Sequence, residues 1–265
     1  MSTKKRLDLA LVERRLCKSR AAAQHMILAG QVLVNGQLVD KAATSISDDT
    51  KIELKEKPRY VSQGGFKLEK ALRVFEISVQ GAICLDIGAS TGGFTDCLLQ
   101  HGAAKVYAVD VGKGQLDWSL RHDPRVIVKE DINARYLHPE QIGEPMDLGT
   151  MDVSFISLKL VLPAIKPIVK PSGHVIALVK PQFEAGRQLV KRGGVIKDLQ
   201  VHQQILEELI QFAVEELELS VINATFSPFK GPAGNIEFFL HLRLEPGIVT
   251  PLDMARLVTE AHQEL

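Results

Sequence analysis

Along the first thirty residues the apolar positions recur at helical spacing. Leu7, Leu9, Ala10, Leu11 and Leu16 are interleaved with Glu13, Arg14 and Arg15, which predicts a short amphipathic helix over 6–16. Ser19 stands where it can cap a second helix from Arg20 to about Ala29, with Gly30 to end it. The pattern then changes to strand. Asn35-Gly36 separates Val32-Leu33-Val34 from Gln37-Leu38-Val39, a strong hairpin signal, and residues 51–54 complete a small α+β unit.

Residues 55–63 are polar and contain Pro58, as a linker would. Gly64-Gly65 precede a helix through about Phe75 whose apolar face carries Leu68, Ala71, Leu72 and Phe75. Lys67 falls in its first turn, where a cation opposes the helix dipole, and a solvated surface lysine is the ordinary reading. Short apolar runs then alternate with helical stretches. Strands are predicted at 83–87, 105–110, 126–128, 147–155 and 174–181, followed by a long helix over 197–216. Residues 220–226 and 236–244 are expected to pair as the antiparallel end of the sheet, and Thr250-Pro251 to start a terminal helix. This rhythm predicts an α/β fold, a Rossmann-like sheet with helices on both faces, behind a small α+β domain. The expected division is 1–57, a linker at 58–63, and 64–265.

Composition narrows the class. With 45% hydrophobic and 24% charged residues in 265, the chain reads as an ordinary globular protein, and no apolar run reaches the roughly 18 residues of a membrane span. The basic start has no apolar segment behind it, so no export signal is expected. Cys17, Cys84 and Cys97 have no metal-binding spacing, and an odd count suits a reducing compartment. A cytoplasmic protein without a metal is the expectation. Net charge is zero, yet residues 1–60 hold 12 Lys and Arg against 7 Asp and Glu, an excess of five balanced by the remainder. A polyanion held by the first domain and a merely solvated basic face both remain open.

Candidate chemistry centres on Asp86-Ile87-Gly88-Ala89-Ser90-Thr91-Gly92-Gly93-Phe94, a strand end passing through glycines into a helix. Such a turn lets backbone approach a ligand, or is simply tight. Ser90 stands where a dinucleotide fingerprint needs its second glycine, and no lysine follows Gly92-Gly93 as a P-loop requires. Asp110 ends the next strand about 24 residues beyond Asp86, where a carboxylate suits ribose hydroxyls. Charges also sit at strand ends that should face the crevice of an open sheet: Asp152, Lys180 and Glu237. Unpaired charge is costly there, so a cluster of both signs is the economical arrangement.

The loop resembles motif I of class I S-adenosylmethionine-dependent methyltransferases. That resemblance implies cofactor contacts from Asp86, Gly88, Ser90, Gly92, Gly93, Phe94 and Asp110, from Asp131 and Ile132 at the adenine, and from Asp152 near the methyl group. The order S-R-x-x-A-x-x-M-I-x-x-G-x-V-x-V-N-G is similar to the S4-type RNA-binding domain, which implies phosphate contacts from Arg6, Arg14, Arg15, Lys18 and Arg20. Lys67, Asp152, Lys180 and Glu237 look like the catalytic Lys-Asp-Lys-Glu tetrad of FtsJ-like 2′-O-ribose methyltransferases. With Y-V-S-Q-G-G-F-K-L and L-V-K-P-Q-F-E around them, the chain resembles the TlyA family throughout. Gln63 departs from the arginine that related sequences often carry. The implied activity is methyl transfer to a ribose 2′-hydroxyl, of cytidine, in ribosomal RNA of the 30S or 50S subunit or both. Lys180 would take the hydroxyl proton, with burial and Lys67 favouring its neutral form. The competing readings are a non-catalytic RNA-binding or ribosome-assembly protein and, from the family's older name, a membrane-active haemolysin. An oxidoreductase fits the fold but not the glycine spacing.

Overall fold

The computed structural model describes residues 4–28, 30–55, 58–186, 194–245 and 251–265. The chain forms two units, divided after Arg59. In the first, helices Leu7–Glu13 and Arg20–Leu28 bury Leu7, Leu11, Ala23 and Ile27 against Val32 and Ile46. The Ser19 hydroxyl accepts from the Ala22 amide at 3.2 Å, as its capping position requires. Ala29 lies outside the described residues, and Gly30 follows at φ +66°. Asn35 and Gly36, at φ 51° and 79°, turn Val32–Val34 back onto Gln37–Leu38. Ile52–Leu54 pairs along the other edge of Val32–Val34. A further pair, Lys5–Arg6 with Ser45–Ile46, was too short to leave any periodicity in the sequence.

The second unit starts at Tyr60, inside the stretch expected to be linker. Tyr60 is buried with its ring edge-on to Phe66, and the Ser62 hydroxyl caps helix Gln63–Val74 through the Gly64 amide. Residues 60–63 are therefore part of the folded unit, because they supply its packing and its helix cap. The linker residues Glu56 and Lys57 lie outside the described residues.

Seven strands form the sheet: β1 Ile83–Ile87, β2 Lys105–Val109, β3 Val126–Lys129, β4 Met146–Met151, β5 Val169–Val179, β6 Ser220–Phe226 and β7 Phe238–Arg243. Their order is β6-β7-β5-β4-β1-β2-β3, with β7 antiparallel to both neighbours and the rest of the sheet parallel. Alternation along each strand feeds two cores. Leu85, Ile87, Val109, Ala177 and Phe238 face one side; Cys84, Val106, Ala108, Ile176 and Phe239 face the other. Helices Gln63–Val74 and Gly93–Gln100 cover the second side, while Leu158–Ile165, Leu199–Glu215 and Met254–Glu264 cover the first.

Three boundaries differ from expectation. The fourth strand ends at Met151 rather than Phe155, because Val153 to Phe155 leave the sheet and Phe155 turns through φ 63°. The fifth begins earlier, at Val169, with a register shift before His174. The terminal helix is capped by Asp253, whose carboxylate accepts from the Arg256 amide at 2.9 Å; Thr250 lies outside the described residues. Among the described residues no helix is long and apolar enough to cross a membrane, and no cluster of His, Cys, Asp and Glu is placed to hold a metal.

Candidate active site

Gly88 follows β1 at φ +81°, and a Cβ there would run into the Asp152 carbonyl oxygen at the end of β4. Gly92 caps helix Gly93–Gln100 at φ +99°, where a side chain would strike Leu116 and Leu120. Between them Ser90 is held at φ 48°, its amide donating to Asp110 Oδ2 at 2.7 Å; Asp110 Oδ1 accepts from the Gly112 amide at 2.6 Å. The glycines thus let the loop press against β4, and Asp110 braces it from β2.

Two cavities open on this loop. The larger, about 550 Å³, is lined by Asp110, Ile132, Asn133, Ser154 and Phe155 among others. The smaller, about 250 Å³, includes Ser62, Gln63, Lys67, Gly93, Phe94 and Lys230. Gly88, Ser90 and Asp152 line both, so the cavities meet where the loop touches β4.

Three expected cofactor residues line neither. Asp86 is fully buried, with Oδ2 accepting from the Thr95 hydroxyl at 2.6 Å and Oδ1 lying 3.2 Å from that of Thr150. It ties β1 to helix Gly93–Gln100 and β4, so it supports the loop from behind. Desolvation pushes its carboxyl up to about 7. The Thr150 hydroxyl also faces the Leu85 carbonyl at 3.3 Å; one proton cannot serve both oxygens, and a protonated Asp86 satisfies all three groups. Gly92 contributes backbone shape. Asp131 is 62% exposed and pairs with Lys113 at 3.0 Å.

The four charged residues do come together, as two ion pairs. Lys67 Nζ lies 2.6 Å from Glu237 Oε2, and Lys180 Nζ lies 2.5 Å from Asp152 Oδ1. The second is an ion contact without hydrogen-bond alignment; the aligned bond of Lys180 goes to Ser154 Oγ at 2.9 Å. Asp152 follows β4 and Lys180 follows β5, both at carboxyl ends. Glu237 immediately precedes β7, and because β7 runs the other way its start lies at the same edge of the sheet. Burial raises the Glu237 carboxyl above its ordinary value, opposed by Lys67 and Lys180 and assisted by Asp152, so the pairs sense each other. Lys67 is only 7% exposed, which overturns its reading as a solvated surface lysine.

Other residues at the site gave little sign in the sequence. Ser154 holds Lys180, and a serine after a strand has no distinguishing pattern. Phe155 is 90% exposed beside the larger cavity, its ring 4.9 Å from Phe183; only the structure reveals an apolar ring left in solvent. Glu184, within L-V-K-P-Q-F-E, accepts from the Ser157 hydroxyl at 2.5 Å and the Leu158 amide at 2.9 Å, fixing the start of helix Leu158–Ile165.

In the first unit the basic residues divide. Asp8 is fully buried and holds Arg6 Nη2 at 2.9 Å and Arg20 Nε at 3.0 Å, with both guanidinium groups about half exposed. Arg15 and Lys18 are exposed. Arg14 instead donates to the carbonyls of Thr50 at 2.6 Å and Asp48 at 2.9 Å, which commits it to the 47–50 turn.

Comparison with known proteins agrees with both units. Residues 60–244 match the FtsJ-like methyltransferase family and residues 5–52 the S4 domain. The chain is 46% identical to the 16S/23S rRNA (cytidine-2′-O)-methyltransferase TlyA of Mycobacterium tuberculosis, over 92% of each chain. It is also 46% identical to Hemolysin A of Brachyspira hyodysenteriae, over 89% of this chain and 98% of that one. A solved hemolysin-like structure from Streptococcus thermophilus superposes with a TM-score of 0.76 at 46% identity, covering 100% of this chain and 98% of that one. The glycine loop and paired tetrad are thus those of a member of the FtsJ-like methyltransferase family, here carrying an S4 domain ahead of the catalytic unit.

Proposed function

We propose that this chain transfers a methyl group from S-adenosylmethionine to a ribose 2′-hydroxyl, that of a cytidine, in ribosomal RNA of the 30S and 50S subunits. The observation that carries the reading is the pairing of Lys67 with Glu237 and of Asp152 with Lys180, with Lys67 lining the smaller cavity and Asp152 lining both. The relatives' substrate supports the RNA assignment.

The residues present fit the cofactor. Gly88 and Ser90 bring the loop backbone to the lining of both cavities, Asp110 stands at the larger one for ribose hydroxyls, and Ile132 offers an apolar contact for adenine. S-adenosylmethionine, when bound, supplies a methyl group on a sulfonium already activated for transfer. The protein's own part is to orient the ribose and take a proton. A neutral Lys180 amine has two N–H donors and one lone pair. Ser154 Oγ accepts from one donor and the Asp152 carboxylate lies against the amine, and the lone pair of the neutral form accepts the 2′-hydroxyl proton. Lys67 and Glu237 hold the opposite side of the tetrad with compensated charge. In the S4 unit Arg6, Arg15, Lys18 and Arg20 supply phosphate contacts, which position the RNA without reading its sequence.

The test is transfer of labelled methyl to purified 30S and 50S subunits, wild type beside Lys180→Met, followed by digestion to nucleosides. Label on ribose 2′-oxygen, lost in the variant, is the expected result. Label on a base would overturn the reaction class; a variant with normal turnover would remove Lys180 as base.

A further inference from the structure

The charges in the catalytic cavity do not all cancel. Lys67 is neutralised by Glu237 and Lys180 by Asp152. Lys230 also lines the smaller cavity, beside Lys67 and Asp152, and makes no ion pair among the described residues. Its position is set by the loop that carries it. The Ser227 amide donates to the Glu237 carbonyl at 2.8 Å, and the Gly231 amide to the Asn235 carbonyl at 2.8 Å. Phe229, one residue before Lys230, packs edge-on against Phe66, the neighbour of Lys67. Gly231, one residue after it, has no room for a Cβ because the Glu237 carboxylate lies there. Backbone anchored beside Glu237 therefore carries the exposed Lys230 side chain into the lining of this cavity, where it makes no ion pair among the described residues.

We propose that Lys230 binds a phosphodiester of the RNA substrate, the one on the 3′-oxygen of the ribose being methylated. The assignment rests on the function proposed above. The anion nearest a 2′-hydroxyl is the phosphodiester on the adjacent 3′-oxygen, so a ribose presented to the tetrad brings that charge into the same cavity. The cofactor's carboxylate is the other anion that could enter. It has better-suited donors, because the N-termini of helices Gln63–Val74 and Gly93–Gln100 meet at this cavity through Gln63, Gly64 and Gly93. Lys230 takes no proton and forms no bond in the reaction; it fixes where the ribose sits.

The experiment compares full-length wild type, Lys230→Gln and Lys230→Arg on purified 30S and 50S subunits at several salt concentrations. S-adenosylmethionine affinity is measured separately by calorimetry. For Lys230→Gln, kcat/KM for the subunits falls about tenfold and the salt slope shrinks by about one. Lys230→Arg stays near wild type and cofactor affinity is unchanged in both. Weakened cofactor binding with unchanged RNA parameters would assign Lys230 to the carboxylate and overturn the proposal. No change in either would show it idle. Absence of transfer by the wild type would overturn the functional reading itself, and this assignment with it.

Discussion

Asp8 in the S4 unit and Asp86 in the methyltransferase unit are both fully buried, yet their carboxyls move in opposite directions. Around Asp8 stand the Arg6 and Arg20 guanidinium groups and the Gln24 amide, all donors, and its pKa falls well below the ordinary value, chiefly through the Arg6 hydrogen bond. Around Asp86 the donors are uncharged, the hydroxyls of Thr95 and Thr150 and the Thr95 backbone amide, and desolvation dominates, lifting it to about 7. Burial alone therefore does not decide the charge of an acid; the partners do. The same contrast runs through the two units. The S4 unit keeps its cations at the surface and uses one buried acid to orient two of them. The methyltransferase unit takes two cations, Lys67 and Lys180, inside, each facing a carboxylate.

The sharpest test of that contrast removes one inner cation. Lys67→Met leaves Glu237, 1% exposed, without its partner. Breaking a buried pair from one side costs about 3–5 kcal/mol, read by urea unfolding. Arg20→Gln in the S4 unit removes only one of several donors to Asp8 from a half-exposed position, and should cost no more than about 1 kcal/mol. Equal losses would mean that the two units handle charge alike.

Asp86 and Asp8 give opposite pH profiles. Because the folded state raises Asp86, its contribution is full below the ordinary carboxyl value near 4 and is lost as pH rises to about 7. The shift corresponds to at most about 4 kcal/mol. Asp86→Asn should therefore flatten the stability profile of the methyltransferase unit between about pH 4 and 7. Asp8 is lowered, so its contribution is present above the ordinary value and disappears as pH falls below about 4. Asp8→Asn should cost about 1–3 kcal/mol near neutrality, with the loss vanishing in acid. Hydrogen exchange separates the two, since protection should drop at Leu11, Ala23 and Ile27 and not in the sheet.

What the sequence made legible were features whose cause is local. Asn35-Gly36 turns a hairpin with φ positive at both residues, and Ser19 and Gly30 bracket a helix, because turn and cap chemistry depend on a few neighbouring residues. The β1 loop was readable for the same reason. Helix-dipole logic alone left Lys67 as a solvated lysine because its partner Glu237 lies 170 residues away, just ahead of β7; only the tetrad resemblance set the two together. Asp86 looked like a cofactor contact because its place in the motif does not reveal which way its side chain turns. Arg14 was indistinguishable from Arg15 until the 47–50 carbonyls were seen around it.

The smallest effect addresses that last distinction. Lys18 is exposed and Arg14 is tied to backbone carbonyls, so the two should separate although both are basic and adjacent to the same helices. Lys18→Gln should leave unfolding unchanged, weaken binding to ribosomal subunits a few-fold and reduce the salt slope by about one, as loss of one phosphate contact does. Arg14→Gln should instead loosen the 47–50 turn by about 1 kcal/mol, seen as faster exchange there, with the salt slope near wild type. If Arg14→Gln lowers the slope and Lys18→Gln does not, the S4 unit meets RNA through the face that carries the 47–50 turn. Its surface cations would then be solvated charge, and the orienting role of Asp8 would belong to the fold alone.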